Sequence, residues 1–420
     1  MNAQGLREAL ERRAPGQWEL YGKLADSREL SATPAGRTSS SRREEGWAAR
    51  WWEEGSPRFA CGSCPERLEA AIAEATRLPT APEEPIAWPA AREQSEASDT
   101  VAPAQGPPDL FAELYRLLST ESRGEALLAG LTVRRGSSLE RIWNGRGLDV
   151  RIPSAVFDGR ALAVGRRATR ACEATVLFRW EDSPDLASLA RRLSDRATLP
   201  LSDRASPLAR GEWLLDPSVG AALLSSLAPL LAAQGPLPKW VQRGQLFSRR
   251  VTVADDAAAD APCDGEGTPT RRVTVVDEGS LAERLSDLRA ARAAGVRPTG
   301  HGARPSYSAA PSPRPRRIFF ETAGGDPPAE LLRSVRRGLF ASALTAPPRI
   351  DLAGDRYELE FTGVALLAGR AQAPVAGARA RGRLSELLRR IRAVSTDRQF
   401  FPMPFPAGSP TILIDRAEFD

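Results

Sequence analysis

The sequence predicts an α+β protein of more than one domain, and three observations carry that expectation. Its 420 residues exceed the length that one hydrophobic core usually serves. Apolar residues make up 42% of the chain, enough to fill packed cores. Stretches with a period of two are interleaved with stretches whose apolar residues recur every three to four positions. The layout that follows is an N-terminal α/β hairpin-helix domain (1–80), a Pro/Ala/Glu-rich linker (79–108), a central strand-rich α+β region (109–205) and a C-terminal mixed β-sheet domain with helices (206–420).

Residues 6–13 begin a short helix, and Trp18–Leu30 and Thr38–Arg43 form strands around turn residues. In EEGWAARWWEEGSPRFACGS, Trp47, Ala49 and Trp51 alternate with Ala48, Arg50 and Trp52. Glu54–Gly55 then supplies a hairpin turn, and Arg58–Cys61 resumes the extended pattern. Pro65 suits a first helical position, with Leu68, Ala71, Ile72 and Ala75 making an apolar face behind it. From Pro79 to Pro108 no period is sustained, so the segment cannot bury enough surface to order itself and reads as a linker anchored at Trp88.

The central region opens with a helix over Leu110–Leu118. It continues through strands at Ala126–Arg134, Ser138–Asn144, Leu148–Ile152, Arg160–Arg167 and Ala174–Trp180, and closes with a helix over Asp185–Arg196. The last region begins with strand Trp213–Leu215, Asp216 as helix cap, Pro217 in the first turn, and a helix carrying Val219, Leu223, Leu227 and Leu230. In DGEGTPTRRVTVVDEGSLAERLSDLRAARAAGVRPTGH (264–301) a Gly-rich turn leads into strand Arg271–Val276. A turn at Gly279 follows, then a helix with Leu281, Leu285, Leu288 and Ala291 on one face, ending at Gly295 and the tight turn Thr299–Gly300–His301. Beyond the basic, Pro-rich 305–317, the expected elements are strand Arg317–Glu321, helix Pro328–Gly338, strands Tyr357–Phe361 and Val364–Ala368, helix Leu384–Ile391 and strand Thr411–Ile414.

Charge narrows the function classes. The 58 basic and 53 acidic residues leave a net charge of +5, and Lys23 and Lys239 are the only lysines. Arginines are spread among Glu and Asp rather than gathered in one segment, which argues against nucleic acid as a direct partner. The start MNAQGLREALERR is charged where a signal peptide needs an apolar core. The longest apolar stretch, 220–233, is too short to span a bilayer, so a cytoplasmic chain without membrane contact is expected. Four cysteines, Cys61, Cys64, Cys172 and Cys263, are too few for a disulfide framework.

D-x-E-G-x-x-T-R from Asp264 to Arg271, the G-x-L turn, the Ala-rich helix and the T-G-H turn together resemble the carboxy-terminal domain of the TldD/PmbA (TldE) family. The hairpin E-G-x-A-x-R…G…F-A before a helix resembles that family's amino-terminal domain. SSLERIWNGRGLDVR resembles its central strand–turn–strand, and GSPTILID its last strand. The resemblance implies a heterodimeric TldD–TldE metalloprotease in which only the TldD-type subunit carries the metal, on an H-E-x-x-x-H helix. Here the equivalent helix reads LDPSVGAALLSSLAPLLAA, without His or Glu, and His301 is the sole histidine in the chain.

Two imidazoles one helical turn apart are what such a zinc site needs, so no catalytic residue and no metal ligand are assigned to this chain. The TldD-type carboxy-terminal cysteine is also unmatched in RQFFPMPFPAGSPTILID. Zinc or iron is expected in a TldD-like catalytic partner, with an extended peptide as substrate. The divergent 305–317 and 402–410 segments suggest a specialised peptide, such as a natural-product precursor. The resemblance places Asp264, Glu266, Thr299, Gly300, His301 and Arg304 along the shared cleft.

The family's older label, modulator of DNA gyrase, supplies a rival in which the chain is a regulatory binding protein without a protease role. A third reading makes the chain a stand-alone enzyme with the acidic loop Asp255, Asp256, Asp260, Asp264 and Glu266 as its metal site, although the spacing matches no EF-hand. Cys61-Gly62-Ser63-Cys64 is a lone CxxC read as structural, and Trp47, Trp51 and Trp52 read as hairpin core and partner-facing surface. Nucleophile-elbow and P-loop motifs are absent.

Overall fold

The computed structural model describes residues 3–90, 110–179, 185–198, 201, 210–241 and 244–419. Residues 91–108 of the expected linker, the strand end at Trp180 and the boundary near 206 lie outside the described residues.

One antiparallel sheet is built from β1 (Trp18–Thr33), β2 (Gly36–Glu53), β3 (Ser56–Gly62), β4 (Ala126–Asn144), β5 (Asp149–Arg167) and β6 (Arg170–Arg179), in the order β3-β2-β1-β4-β5-β6. The β1–β4 pairing runs from Glu19–Asn144 to Ala32–Leu131, so strands from both sides of the linker share this sheet. At one end α1 (Gln4–Arg13) and α2 (Pro65–Ala75) cover it over Leu10, Leu20, Trp47, Trp51 and Leu68. At the other, α3 (Leu110–Glu121) and α4 (Leu186–Thr198) cover it over Leu114, Leu118, Val176 and Leu193.

Strands expected as short pieces are continuous here. Thr38–Arg43 joins the Trp-rich run in β2, Ala126–Arg134 joins Ser138–Asn144 in β4, and Leu148–Ile152 joins Arg160–Arg167 in β5. In β2 the residues from Gly36 to Arg43 are all exposed, and with no face to bury they carry no alternation to read.

The carboxy-terminal half adds β7 (Arg210–Leu215), α5 (Pro217–Ser226), α6 (Ala228–Leu231), β8 (Val253–Asp256), β9 (Arg272–Asp277), β10 (Ser280–Leu281) and α7 (Leu288–Ala294). It continues with β11 (Gly302–Ala303), β12 (Ser312–Pro313), β13 (Ile318–Phe320), α8 (Pro328–Ser334), β14 (Arg337–Leu344), β15 (Arg349–Asp351), β16 (Arg356–Leu367) and β17 (Arg370–Arg383). It closes with α9 (Leu384–Arg389), β18 (Ile391–Val394), β19 (Gln399–Pro402), β20 (Pro406–Ser409) and β21 (Ile412–Glu418).

Two sheets result, ordered β10-β9-β8-β13-β20-β19 and β15-β16-β14-β7-β21-β18, with β17 also pairing β16. They bury one core between them. It contains Trp213, Phe247, Phe320, Phe361 and the inward residues of α5, and the Trp213 ring lies 5.2 Å from that of Phe361. Among the described residues no helix is long and apolar enough to cross a membrane.

Several expected helices are shorter. The helix over Leu281–Ala291 is confined to Leu288–Ala294, because Leu281 pairs in β10 and Leu285 bridges Ala232. Asp287 caps it, accepting the Ala290 N–H at 2.7 Å. The helix through Leu230 breaks at Leu227 where Pro229 follows. Gly338 belongs to β14 rather than to a helix, and a Cβ there would lie 2.1 Å from the Glu212 carbonyl oxygen.

Candidate functional site

The turn Asp264–Gly267 and the segment Thr299–Arg304 meet at a buried polar cluster beneath β1 and β2. Gly267 has φ +74° and Gly300 φ +76°, which favours glycine at both bends, and the chain re-enters between them. The Asp264 carboxylate accepts the N–H groups of Glu266 and Thr268 at 2.9 Å each, and that of Gly302 at 2.7 Å. One side chain thus closes its own turn and ties it to the 299–304 segment.

Glu266 reaches in two directions. One oxygen accepts the Leu288 N–H at 2.8 Å at the start of α7, and the other lies 2.8 Å from the Arg50 guanidinium of β2. Arg50 also grips Glu19 of β1 in a two-pronged pair at 3.1 and 2.8 Å. Arg304 donates to Glu19 and to the Gly265 carbonyl, the latter at 2.8 Å, and its guanidinium lies 4.5 Å from the centre of the Tyr21 ring. Trp88 covers the cluster, with the Arg50 guanidinium 5.0 Å from its ring and the Trp52 ring 5.8 Å away edge-on.

Burial sets the electrostatics. It pushes the Asp264 carboxyl up to about 8, aided by the Glu266 charge and opposed by the three amide donors. Burial also raises Glu266, against the pull of Arg50, and raises Asp287. Burial would raise Glu19 as well, but the Arg304 and Arg50 guanidiniums outweigh it and hold that carboxyl below its usual range.

His301 lies one layer deeper. Its Nε2 is 2.9 Å from Asp255 Oδ1, and its Nδ1 is 3.0 Å from both the carbonyl and the hydroxyl oxygens of Thr299. Asp255 also accepts the Arg316 and Arg317 N–H groups at 2.9 and 3.2 Å. A Thr–His–Asp line of this kind invites comparison with a nucleophile and its base. The Thr299 hydroxyl, however, donates to the Ser286 carbonyl at 3.1 Å and accepts the Ser286 N–H at 2.7 Å, and none of the three side chains has any exposed surface. It is a structural lock.

The structure thus brings together all six residues that the sequence placed on a cleft, and it encloses them. Asp264, Glu266, Thr299 and His301 are 0% exposed and Arg304 7%, so they frame loops rather than present an open wall. The acidic loop does not converge on a cation: Asp255 and Asp264 are committed to separate donors, and no group of three or more His, Cys, Asp or Glu able to hold a metal occurs among the described residues. Trp47, Trp51 and Trp52 are buried, so they serve as hairpin core and not as partner-facing surface. Sequence reading missed Glu19 and Arg50. Their signal was an ionisable residue flanked on both sides by apolar ones, in W-E-L and A-A-R-W-W.

Helix α5 has the opposite character. Asp216 caps it through the Ser218 N–H at 2.9 Å, and Val219, Gly220, Ala221, Leu223 and Leu224 are buried. A Cβ on Gly220 would stand 2.2 Å from Ser409 Oγ, so β20 presses directly on this helix. With no imidazole or carboxylate along it, α5 does not fit a metal.

Residues 212–420 match the family described as PmbA/TldA metallopeptidase C-terminal domain. A metalloprotease TldD homolog of Haemophilus influenzae is 27% identical over 157 residues, which is 36% of this chain and 32% of the relative, so the chain spans about a third of that relative's length. TldE from Thermococcus kodakarensis superposes with a TM-score of 0.85 at 18% identity, covering 99% of both chains. A putative modulator of a DNA gyrase from Thermotoga maritima does so with a TM-score of 0.81, also at 18% identity and 99% coverage of both. The fold is therefore that of a PmbA/TldD-type protein. The chain belongs to the PmbA/TldD family, and it shares its fold with the TldE structure.

Proposed function

We propose that this chain is the metal-free, TldE-like subunit of a heterodimeric metallopeptidase that acts on extended peptides in the cytoplasm. Helix α5 carries the proposal: in the place of the family's metal-binding helix it offers only apolar side chains and small hydroxyls. The sole histidine cannot compensate, because it is locked between Asp255 and Thr299. Zinc or iron and the general base belong, in this reading, to a TldD-like partner. This subunit completes the cavity, and the buried cluster of Asp264, Glu266, Thr299, Gly300, His301 and Arg304 acts as the frame that sets its loops. Extended substrates suit such a cavity because main-chain pairing gives affinity without demanding one sequence. The divergent 305–317 and 402–410 segments favour a specialised precursor peptide over arbitrary ones.

Co-expression with a TldD-like chain tests the reading. Each chain alone and the mixture are assayed on an unfolded peptide, and cleavage by the mixture only is the expected result. Cleavage by this chain alone overturns it. The description of the Thermotoga maritima relative supports a second reading, a gyrase-modulating regulator without protease role. Retention on DNA that weakens with salt would favour that reading.

A further inference from the structure

Two edge strands from different sheets, β6 and β19, flank a cleft of about 400 Å³ with α4 along one wall. Arg192 and Arg179 line it, together with Ser188, Leu189, Gln399 and Phe400. Arg196, one turn further along α4, shows what a satisfied arginine looks like in this neighbourhood: it donates to the Thr175 carbonyl at 3.1 Å, to Asp216 at 3.0 Å and to the Ser218 hydroxyl at 2.6 Å. Arg192 has nothing comparable. It packs 5.1 Å from the Phe401 ring centre, and its Nη2 is buried without a hydrogen-bond partner among the described residues.

Burial, with the Arg196 charge and against the Asp216 carboxylate, pulls the Arg192 guanidinium down to about 10, still charged at neutral pH. Arg317 adds a further cation 4.2 Å from the centre of the Phe400 ring. Among the described lining residues the one carboxylate, Asp185, already accepts the Ser188 N–H at 2.9 Å. A charged guanidinium half removed from water without an acceptor is costly, and the missing acceptor defines what the cleft would hold. Planar forked donors match a carboxylate, and the apolar wall at Leu189 and Phe400 matches a hydrophobic group attached to it.

We propose that this cleft binds the terminal carboxylate of a peptide, with Arg192 and Arg179 holding the carboxylate and Leu189 and Phe400 receiving the apolar last side chain. The choice of a peptide rests on the peptidase-subunit reading; the choice of a carboxylate rests on the cleft alone. The probe is a fluorescein-tagged pentapeptide ending in leucine, as free acid and as carboxy-terminal amide, titrated against the full chain by fluorescence polarisation. The acid is expected to bind about tenfold tighter than the amide, the size of one charge-assisted contact. R192Q brings the ratio to about one, whereas R349Q, at an exposed pair far along the sheet order, leaves it unchanged.

R192M, which removes the unpartnered guanidinium but keeps the packing on Phe401, is expected to raise the melting temperature of the ligand-free chain; this separates lost binding from lost folding. Equal affinity for acid and amide, no binding of the acid, an unchanged ratio in R192Q, or displacement by inorganic phosphate as effective as by unlabelled peptide would each overturn the site. A pair that cleaves peptides without any acid preference would sink the cleft and leave the subunit reading standing. Acid preference in a pair that never cleaves would do the reverse.

Discussion

Helix α5 and the 264–304 cluster are both buried, yet they are built from opposite chemistry. Around α5 the contacts are Leu, Val, Ala and Gly against Ser409 and Ile412, so a side chain there matters through its shape. In the cluster, Glu19, Arg50, Asp264, Glu266 and Arg304 matter through their partners, because each buried charge is tolerable only while another answers it. The first region offers no imidazole or carboxylate along its helix. The second ties the amino-terminal sheet to the carboxy-terminal loops, since β1 and β2 supply Glu19 and Arg50 while the loops supply Glu266 and Arg304.

The sharpest way to break the contrast is R50M. It strands Glu266, leaves Glu19 with Arg304 alone, and should cost about 3–5 kcal/mol in urea denaturation, the range for removing one partner of a buried pair. Adding E266Q should restore part of that loss, and full additivity of the two changes would contradict a shared network. D264N comes next, at about 1–3 kcal/mol at neutral pH, because an amide cannot accept from Gly302 while also serving Glu266 and Thr268.

The pH dependence of D264N sharpens the account further. A carboxyl held at about 8 in the folded chain and at its ordinary 3.8 when unfolded contributes most at low pH, and that contribution declines as pH rises from about 4 to about 8. The advantage of wild type over D264N should shrink across that interval. Glu19 works in the other direction, since its lowered value contributes above its ordinary 4.5 and is lost as pH falls. A constant gap in urea midpoints would mean that Asp264 is ionised throughout.

In the apolar region G220A should cost about 1–3 kcal/mol by crowding Ser409 and Ile412, with no dependence on pH, as thermal unfolding at several pH values would show. The smallest effect belongs to R210A. Its pair with Glu418 has side chains 72% and 68% exposed, and its loss should stay within about 0.5 kcal/mol of wild type.

The two regions also differed in how far the sequence revealed them. Helix α5 was legible because Asp216, Pro217 and the Leu spacing are local signals, and the missing His and Glu could be read directly. Asp264, Glu266 and the Thr299–Gly300–His301 turn stood out by their glycines, but their burial did not. It depends on Arg50 and Glu19, more than two hundred residues away, and no periodicity reports such a pairing. The helix expected from Leu281 failed for a related reason: Leu281 and Leu285 bury apolar side chains from a strand and a bridge, which mimics one helical face. The outer part of β2, Gly36–Arg43, was under-read because its residues are exposed on both faces.

Metal content resolved by subunit bears most directly on the claim that this chain carries no metal. The chain is purified alone and from a complex with a TldD-like partner, and each is dialysed and analysed for zinc, iron and calcium. Stoichiometric metal in the complex that stays with the partner on separation, and none on this chain alone, is the predicted result. Stoichiometric metal on this chain alone would contradict it, and would direct mutagenesis to the acidic loop at 255–266.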